Sequence, residues 1–153
     1  MIDSRTALRF ERRPAPVMAE HRPLYKIGQI LLVLRLASRA GKSSTARLHL
    51  FNWALKRNDR SKKLKEAAEG GELRVTAWGF DPALAIALRF ASAERLLRSV
   101  TNGYELTDQG EIFADDIVRD NELLGAERTL LVAIGKRITE TMVEAVAKGW
   151  EAQ

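Results

Sequence analysis

Asn102-Gly103-Tyr104-Glu105-Leu106-Thr107-Asp108-Gln109-Gly110 is the stretch on which the fold turns. Asn-Gly between two short strand-like segments is the strongest short-range hairpin signal. Gly103 is expected to supply the positive φ of the tight turn. Tyr104 and Leu106 fall on one strand face and can pack on the helix before them. Thr107 offers a side-chain oxygen to the free N–H groups of a following helix. Gly110, in the first turn of that helix, allows close approach to the hairpin.

Upstream, Arg98-Ser99-Val100 reads as the first hairpin strand. Asp81 at an N-cap with Pro82 behind it predicts a helix from Pro82 to about Leu97. Glu72–Trp78 alternates, with Leu73, Val75 and Ala77 on one side and Arg74 and Thr76 on the other, which predicts a third strand. Helix, strand, Asn-Gly turn, strand and capped helix make a winged-helix arrangement, with Asn102 and Gly103 as the wing.

Further upstream, Ile27, Ile30, Leu31, Leu34 and Ala37 recur at helical spacing over Leu24–Arg39, and Gly41 ends that run. Ser43 or Ser44 caps a second helix whose apolar positions include Leu48, Phe51 and Leu55. Asn58–Ala68 is a third, very basic helix, broken by Gly70-Gly71. Downstream, a helix reaches about Arg119, and a last one is expected from Ala126 to Lys148. The expected class is mainly α with a small β-sheet: a single winged-helix-type domain over residues 24–150, with additional N- and C-terminal helices. Residues 1–23, with Pro14, Pro16 and Pro23, read as an extended basic arm.

A chain of 153 residues is long enough to bury roughly 70% of its unfolded surface. With 46% apolar and 29% charged residues it has a globular balance. The longest aliphatic run is Ile30–Leu34, far short of the ~20 residues of a membrane span. No secretory leader is visible, so a cytoplasmic location is expected. There are no cysteines and two histidines, His21 and His49. That removes thiolate chemistry and makes a histidine metal site unexpected.

The net charge of +5 is unevenly spread. Residues 24–65 hold eleven Lys/Arg against one Asp, and residues 106–153 hold five Lys/Arg against ten Asp/Glu. Lys42, Arg47, Lys56, Arg57, Arg60, Lys62, Lys63 and Lys65 are the candidate phosphate contacts, since such contacts need only Lys and Arg. Solvated helix faces are the plainer reading. The helix before the wing starts Asp81-Pro82-Ala83-Leu84-Ala85-Ile86-Ala87-Leu88, with no base-reading donor before Arg89. It is apolar nearly all round, which predicts burial on more than one side. Leu84, Ile86 and Leu88 are therefore the candidate protein interface.

Other signals fall short. Gly41-Lys42-Ser43-Ser44 resembles the end of a phosphate-binding loop, but Leu36 stands where that pattern requires glycine. Asp115, Asp116 and Asp120 read as a solvated acidic face rather than a metal site. No residue is assigned a catalytic, cofactor or metal role. Trp53, Trp78 and Trp150 are expected to anchor core or interface.

Phe80-Asp81-Pro82-Ala83-Leu84, the wing segment Gly103–Gly110, Ile134-Gly135-Lys136-Arg137-Ile138-Thr139-Glu140 and Phe51-Asn52-Trp53-Ala54-Leu55 together resemble the middle component of ABC-three-component systems. The resemblance spans about residues 24–150. It implies a non-catalytic accessory subunit of a Lamassu-type bacterial anti-phage defence complex. Its implied partners are an SMC- or Rad50-like ATPase and an effector, often a nuclease, with DNA reached through the complex. No catalytic residue carries over. The alternative is a stand-alone winged-helix DNA-binding regulator.

Overall fold

The computed structural model describes residues 23–75, 77–120 and 122–151. The basic arm lies outside the described residues apart from Pro23, which opens α1 (Pro23–Leu36). A short 3-10 turn (Arg39–Gly41) leads into β1 (Lys42–Ser44), α2 (Thr45–Leu55) and α3 (Asn58–Gly70). Then follow α4 (Pro82–Ala93), β2 (Leu97–Val100), β3 (Gly103–Leu106), α5 (Asp108–Arg119), α6 (Gly125–Ile134) and α7 (Glu140–Glu151). The chain is mainly α with one small antiparallel sheet of order β1-β3-β2, in keeping with a winged helix carrying extra helices.

α1 is the central element. Ile27, Ile30, Leu31, Leu32, Val33 and Leu34 are all buried, because α2, α4, α5 and α6 all pack against this helix. A helix covered on every side can be apolar on every side. The opposed charges of the two chain halves are partly answered inside the fold. Arg35 on α1 pairs with Asp115 at 2.8 Å and Glu111 at 3.6 Å on α5. Gln29 donates to Glu127 on α6 at 3.2 Å.

Local chemistry sets the helix ends as expected. Ser44 accepts from Arg47 N, Asp81 from Ala83 N and Thr107 from Gly110 N. Each satisfies one of the orphan donors of a helix start.

Four expectations are corrected. The third strand is Lys42–Ser44, paired with Gly103–Glu105, and not Glu72–Trp78. Leu73 and Val75 are buried as alternation required, but Ala77 is exposed and Trp78 is buried in its place, and the described residues of that segment join no ladder. Alternation reports which side is covered and carries no information on hydrogen-bond partners. Second, Asn102 takes the positive φ of the hairpin turn, at 62°, and Gly103 does not. Gly103 is needed for a different reason: a Cβ there would lie 2.1 Å from Ser43 O on β1. Gly110 does serve close approach, since a Cβ there would meet Leu96 O at 2.0 Å.

Third, α4 stops at Ala93, and Leu97 opens β2 instead of ending the helix. Arg95, at φ 64°, makes the corner. Fourth, the expected helix Ala126–Lys148 is two helices. Gly135, at φ 59°, ends α6, Ile138 plugs the core, and Thr139 Oγ1 accepts from Met142 N to open α7. No helix among the described residues is long and apolar enough to cross a membrane.

Candidate functional site

α4 occupies the position before the wing, and a network around its first residue fixes where it sits. Asp81 Oδ1 accepts from Ala83 N at 3.0 Å. Its Oδ2 accepts from Lys56 Nζ at 2.9 Å, Asn52 Nδ2 at 2.9 Å and Lys26 Nζ at 3.4 Å. Lys26, only 2% exposed on α1, also donates to Asn52 Oδ1 at 2.6 Å. Partial burial works against the Asp81 carboxylate. The hydrogen bonds from Lys56, Asn52 and Ala83 N and the charge of Lys26 outweigh it and hold its carboxyl well below the usual range.

Asp81 N donates to His49 Nδ1 at 3.3 Å. Burial lowers the His49 pKa, Asp81 pulls the other way, and Lys56 lowers it further. The ring is therefore neutral, with its proton on Nε2, which has no hydrogen-bond partner among the described residues. The Phe80 ring lies 4.9 Å from the His49 ring.

From this anchored start α4 turns Leu84, Ala87, Leu88 and Ala91 into the core. Leu84 and Leu88, expected at an interface, are core residues. Ile86 alone of that trio faces solvent, 51% exposed. It lies one turn from Phe90, 38% exposed, on the same helix, and Phe80, 70% exposed, precedes the helix cap. Pro82, Arg89 and Ala93 are exposed on the same helix. Far from being covered on more than one side, α4 keeps a bare apolar stripe at i, i+4 and i+8. Its exposed face offers one cation and no amide, so it lacks the side chains that read base edges.

Comparison with protein-family models, with curated proteins and with solved structures returned no match.

The eight basic residues picked out in the sequence are not brought together. Arg47 is internal, 3% exposed, and unavailable to phosphate. Its Nε donates to Ile138 O at 2.7 Å, its NH1 to Ser38 Oγ at 2.8 Å, and its NH2 to Ala37 O. Its guanidinium also lies 4.8 Å from the centre of the Phe51 ring. Burial lowers the Arg47 pKa to about 10 against the pull of Glu140. Lys56 is held by Asp81, and Arg57 pairs with Asp59 at 2.9 Å. Arg60 lies over Trp53, 4.8 Å from the ring centre. Lys62, Lys63 and Lys65 are exposed on α3. Lys42 is exposed too, 3.8 Å from Glu105, which Arg98 approaches more closely at 2.8 Å.

At the wing, Asn102 is exposed at the tip and Gly103 is buried at the root. Trp78 is a core anchor whose Nε1 donates to Ala46 O at 3.0 Å, whereas the Trp150 side chain lies outside the described residues. Asp115 and Asp116 are engaged by Arg35 and Arg119, and Asp120 accepts from Glu122 N at 2.9 Å. Sequence reasoning passed over Phe80 and Phe90. The signal was present: Ile86 and Phe90 are four apart, on the side of α4 away from Leu84, Leu88 and Ala91.

Proposed function

We propose that this chain is a non-catalytic accessory subunit whose α4 face docks on another protein. The observation that carries this is the exposed pair Ile86 and Phe90 on the helix that precedes the wing, with Phe80 exposed just ahead of the helix cap. Full burial of one such side chain is worth roughly 1.5–3 kcal/mol. Two on one rigid helix, with a third exposed aromatic just before its cap, offer the kind of apolar centre from which a few residues dominate binding. The Asp81 network supports the reading, because it fixes the stripe before any partner arrives and lowers the ordering cost of association.

The motifs quoted from the sequence make an SMC- or Rad50-like ATPase the favoured partner. The complex would be a cytoplasmic anti-phage defence assembly that couples DNA sensing to an effector nuclease. Co-purification of the tagged chain with the products of neighbouring genes tests this. Phe80→Ser, Ile86→Ser and Phe90→Ser, all at exposed positions, should leave the fold intact and abolish capture of the ATPase. Capture undiminished by all three together sinks the docking face, and the absence of any ATPase among the captured proteins sinks the complex.

A stand-alone DNA-binding regulator is the second reading, favoured by the wing and the sheet order. It requires a large ratio of operator to random-DNA affinity. Equal binding to any sequence, or none, removes it.

A further inference from the structure

A second surface, independent of the α4 face, lies where two corners of the fold meet. Ala40 and Gly41 are consecutive left-handed residues, at φ 53° and 66°, and set Arg39 and Lys42 on either side of a sharp turn. A non-glycine residue in that region is strained, and such strain gathers at functional sites. Opposite, the break after α6 brings Lys136 to the same place. These three exposed cations line a depression of about 180 Å³ with Arg47, Thr139, Glu140 and Thr141. Arg47 is at its floor. It holds Ala37 O and Ile138 O, and so keeps both corners in register.

The charge in this depression is unbalanced. Three exposed cations, Arg39, Lys42 and Lys136, share the depression with one carboxylate, Glu140, and Lys42 also lies 3.8 Å from Glu105 outside it. Arg39 and Lys136 have no ion-pair partner among the described residues. The Glu140 carboxylate lies on the Ser44 and Arg47 side of the depression. Its Oε1 accepts from Ser44 N at 3.3 Å and Ser44 Oγ at 3.1 Å, and lies 3.9 Å from Arg47 Nε. Glu140 is exposed, so its side chain can leave this position without opening the core. The size fits a tetrahedral oxyanion and excludes drug-sized molecules, whose sites start at about 300 Å³.

We infer that this depression is a phosphate-group site, with Arg39, Lys42 and Lys136 as its ligands and the Glu140 carboxylate in its wall as the opposing charge. The phosphate belongs either to a nucleic-acid backbone or to a free anion. Each exposed cation adds an attraction that carries no sequence information. Glu140 lowers the affinity, because its charge must be displaced or tolerated.

The test uses the full chain, titrated with random-sequence duplex DNA over a range of salt and separately with inorganic phosphate. Arg39→Ala, Lys42→Ala and Lys136→Ala combined should weaken binding at least tenfold. On DNA they should also flatten the dependence of log K on log salt by about 0.9 for each phosphate no longer neutralised. Lys62→Ala, Lys63→Ala and Lys65→Ala combined, on α3, should have a smaller effect on both ligands. Glu140→Gln keeps the acceptor for Ser44 and removes the charge, so it should tighten binding several-fold. DNA binding that follows this pattern assigns the site to a nucleic-acid backbone, and response to phosphate alone assigns it to a free anion. The inference is overturned if neither ligand binds, or if the Arg39/Lys42/Lys136 variant binds like the parent chain. It is also overturned if Glu140→Gln fails to tighten binding. Circular dichroism melts of each variant establish that it is folded.

Discussion

Replacing Arg47 by methionine should be less damaging than replacing it by lysine. Methionine fills much of the same volume but donates nothing. It orphans Ala37 O and Ile138 O, which Arg47 serves, at about 1–3 kcal/mol for each buried acceptor. Against that loss stands a gain. Burial lowers the Arg47 pKa to about 10, so the folded state holds this charge at a penalty of roughly 3 kcal/mol, which methionine removes. The net destabilisation for Arg47→Met is then at most about 3 kcal/mol. Lysine keeps the charge in the same buried place and lacks the planar fork that reaches both carbonyls. Its expected loss is about 3–5 kcal/mol, the range for a buried charge stripped of partners.

Urea denaturation followed by far-ultraviolet circular dichroism measures the difference. A gap of about 2 kcal/mol corresponds to a melting temperature difference of roughly 4–8 °C for a chain of this size. A pH series adds a sign. A buried lysine has a folded pKa below its unfolded value of about 10.4. The unfolded state then binds more protons between the two, so the Arg47→Lys variant should gain stability as pH rises through that window. A methionine variant less stable than the lysine variant would refute the reasoning.

Gly103→Ala should lose about 3 kcal/mol, because its Cβ would overlap Ser43 O. Gly70→Ala, with open space around it, should instead stabilise α3 by about 0.5–1 kcal/mol. Thermal melts of the pair check both signs. Asp81→Ala removes the α4 cap and the carboxylate facing Lys26 and Lys56, at about 2–4 kcal/mol. Asp81→Asn, which keeps the cap, should fall between it and the parent in denaturant midpoint. The folded pKa of His49 lies below its unfolded value of about 6.5. The unfolded state binds more protons in that window, so stability is full above about pH 6.5 and falls as pH drops below it. His49→Gln should flatten this slope in a pH series of unfolding curves.

What could be read from the sequence was chemistry local to a few neighbouring residues. Asp81-Pro82 and Thr107 announce helix starts because a cap and its donors lie within three residues of each other. The Asn-Gly hairpin is legible for the same reason, although the roles of its two residues are exchanged. β1 escaped notice because Lys42-Ser43-Ser44 is short and polar, and its partner strand lies far along the chain. The bare stripe on α4 escaped because periodicity divides a helix into faces without saying which is covered. Leu84 and Leu88 carry the same hydropathy as Ile86, and only their neighbours distinguish them. Arg47 looked like one more exposed cation of a basic run. Its burial depends on Ile138, which the Gly135 break delivers from ninety-one residues away.

The short β1 strand also orders events in folding. β2 and β3 can pair as soon as they meet, since a hairpin forms in about 1–10 μs. The pairing of β1 with β3 instead closes a loop that contains α2, α3 and α4, and contacts of such long sequence separation slow assembly. β1 therefore docks only when the helices between are in place. The Thr45 amide, bonded to Asn102 O at 2.9 Å across that closure, should exchange its hydrogen only when the whole molecule opens. Three polar residues would then mark completion of the fold.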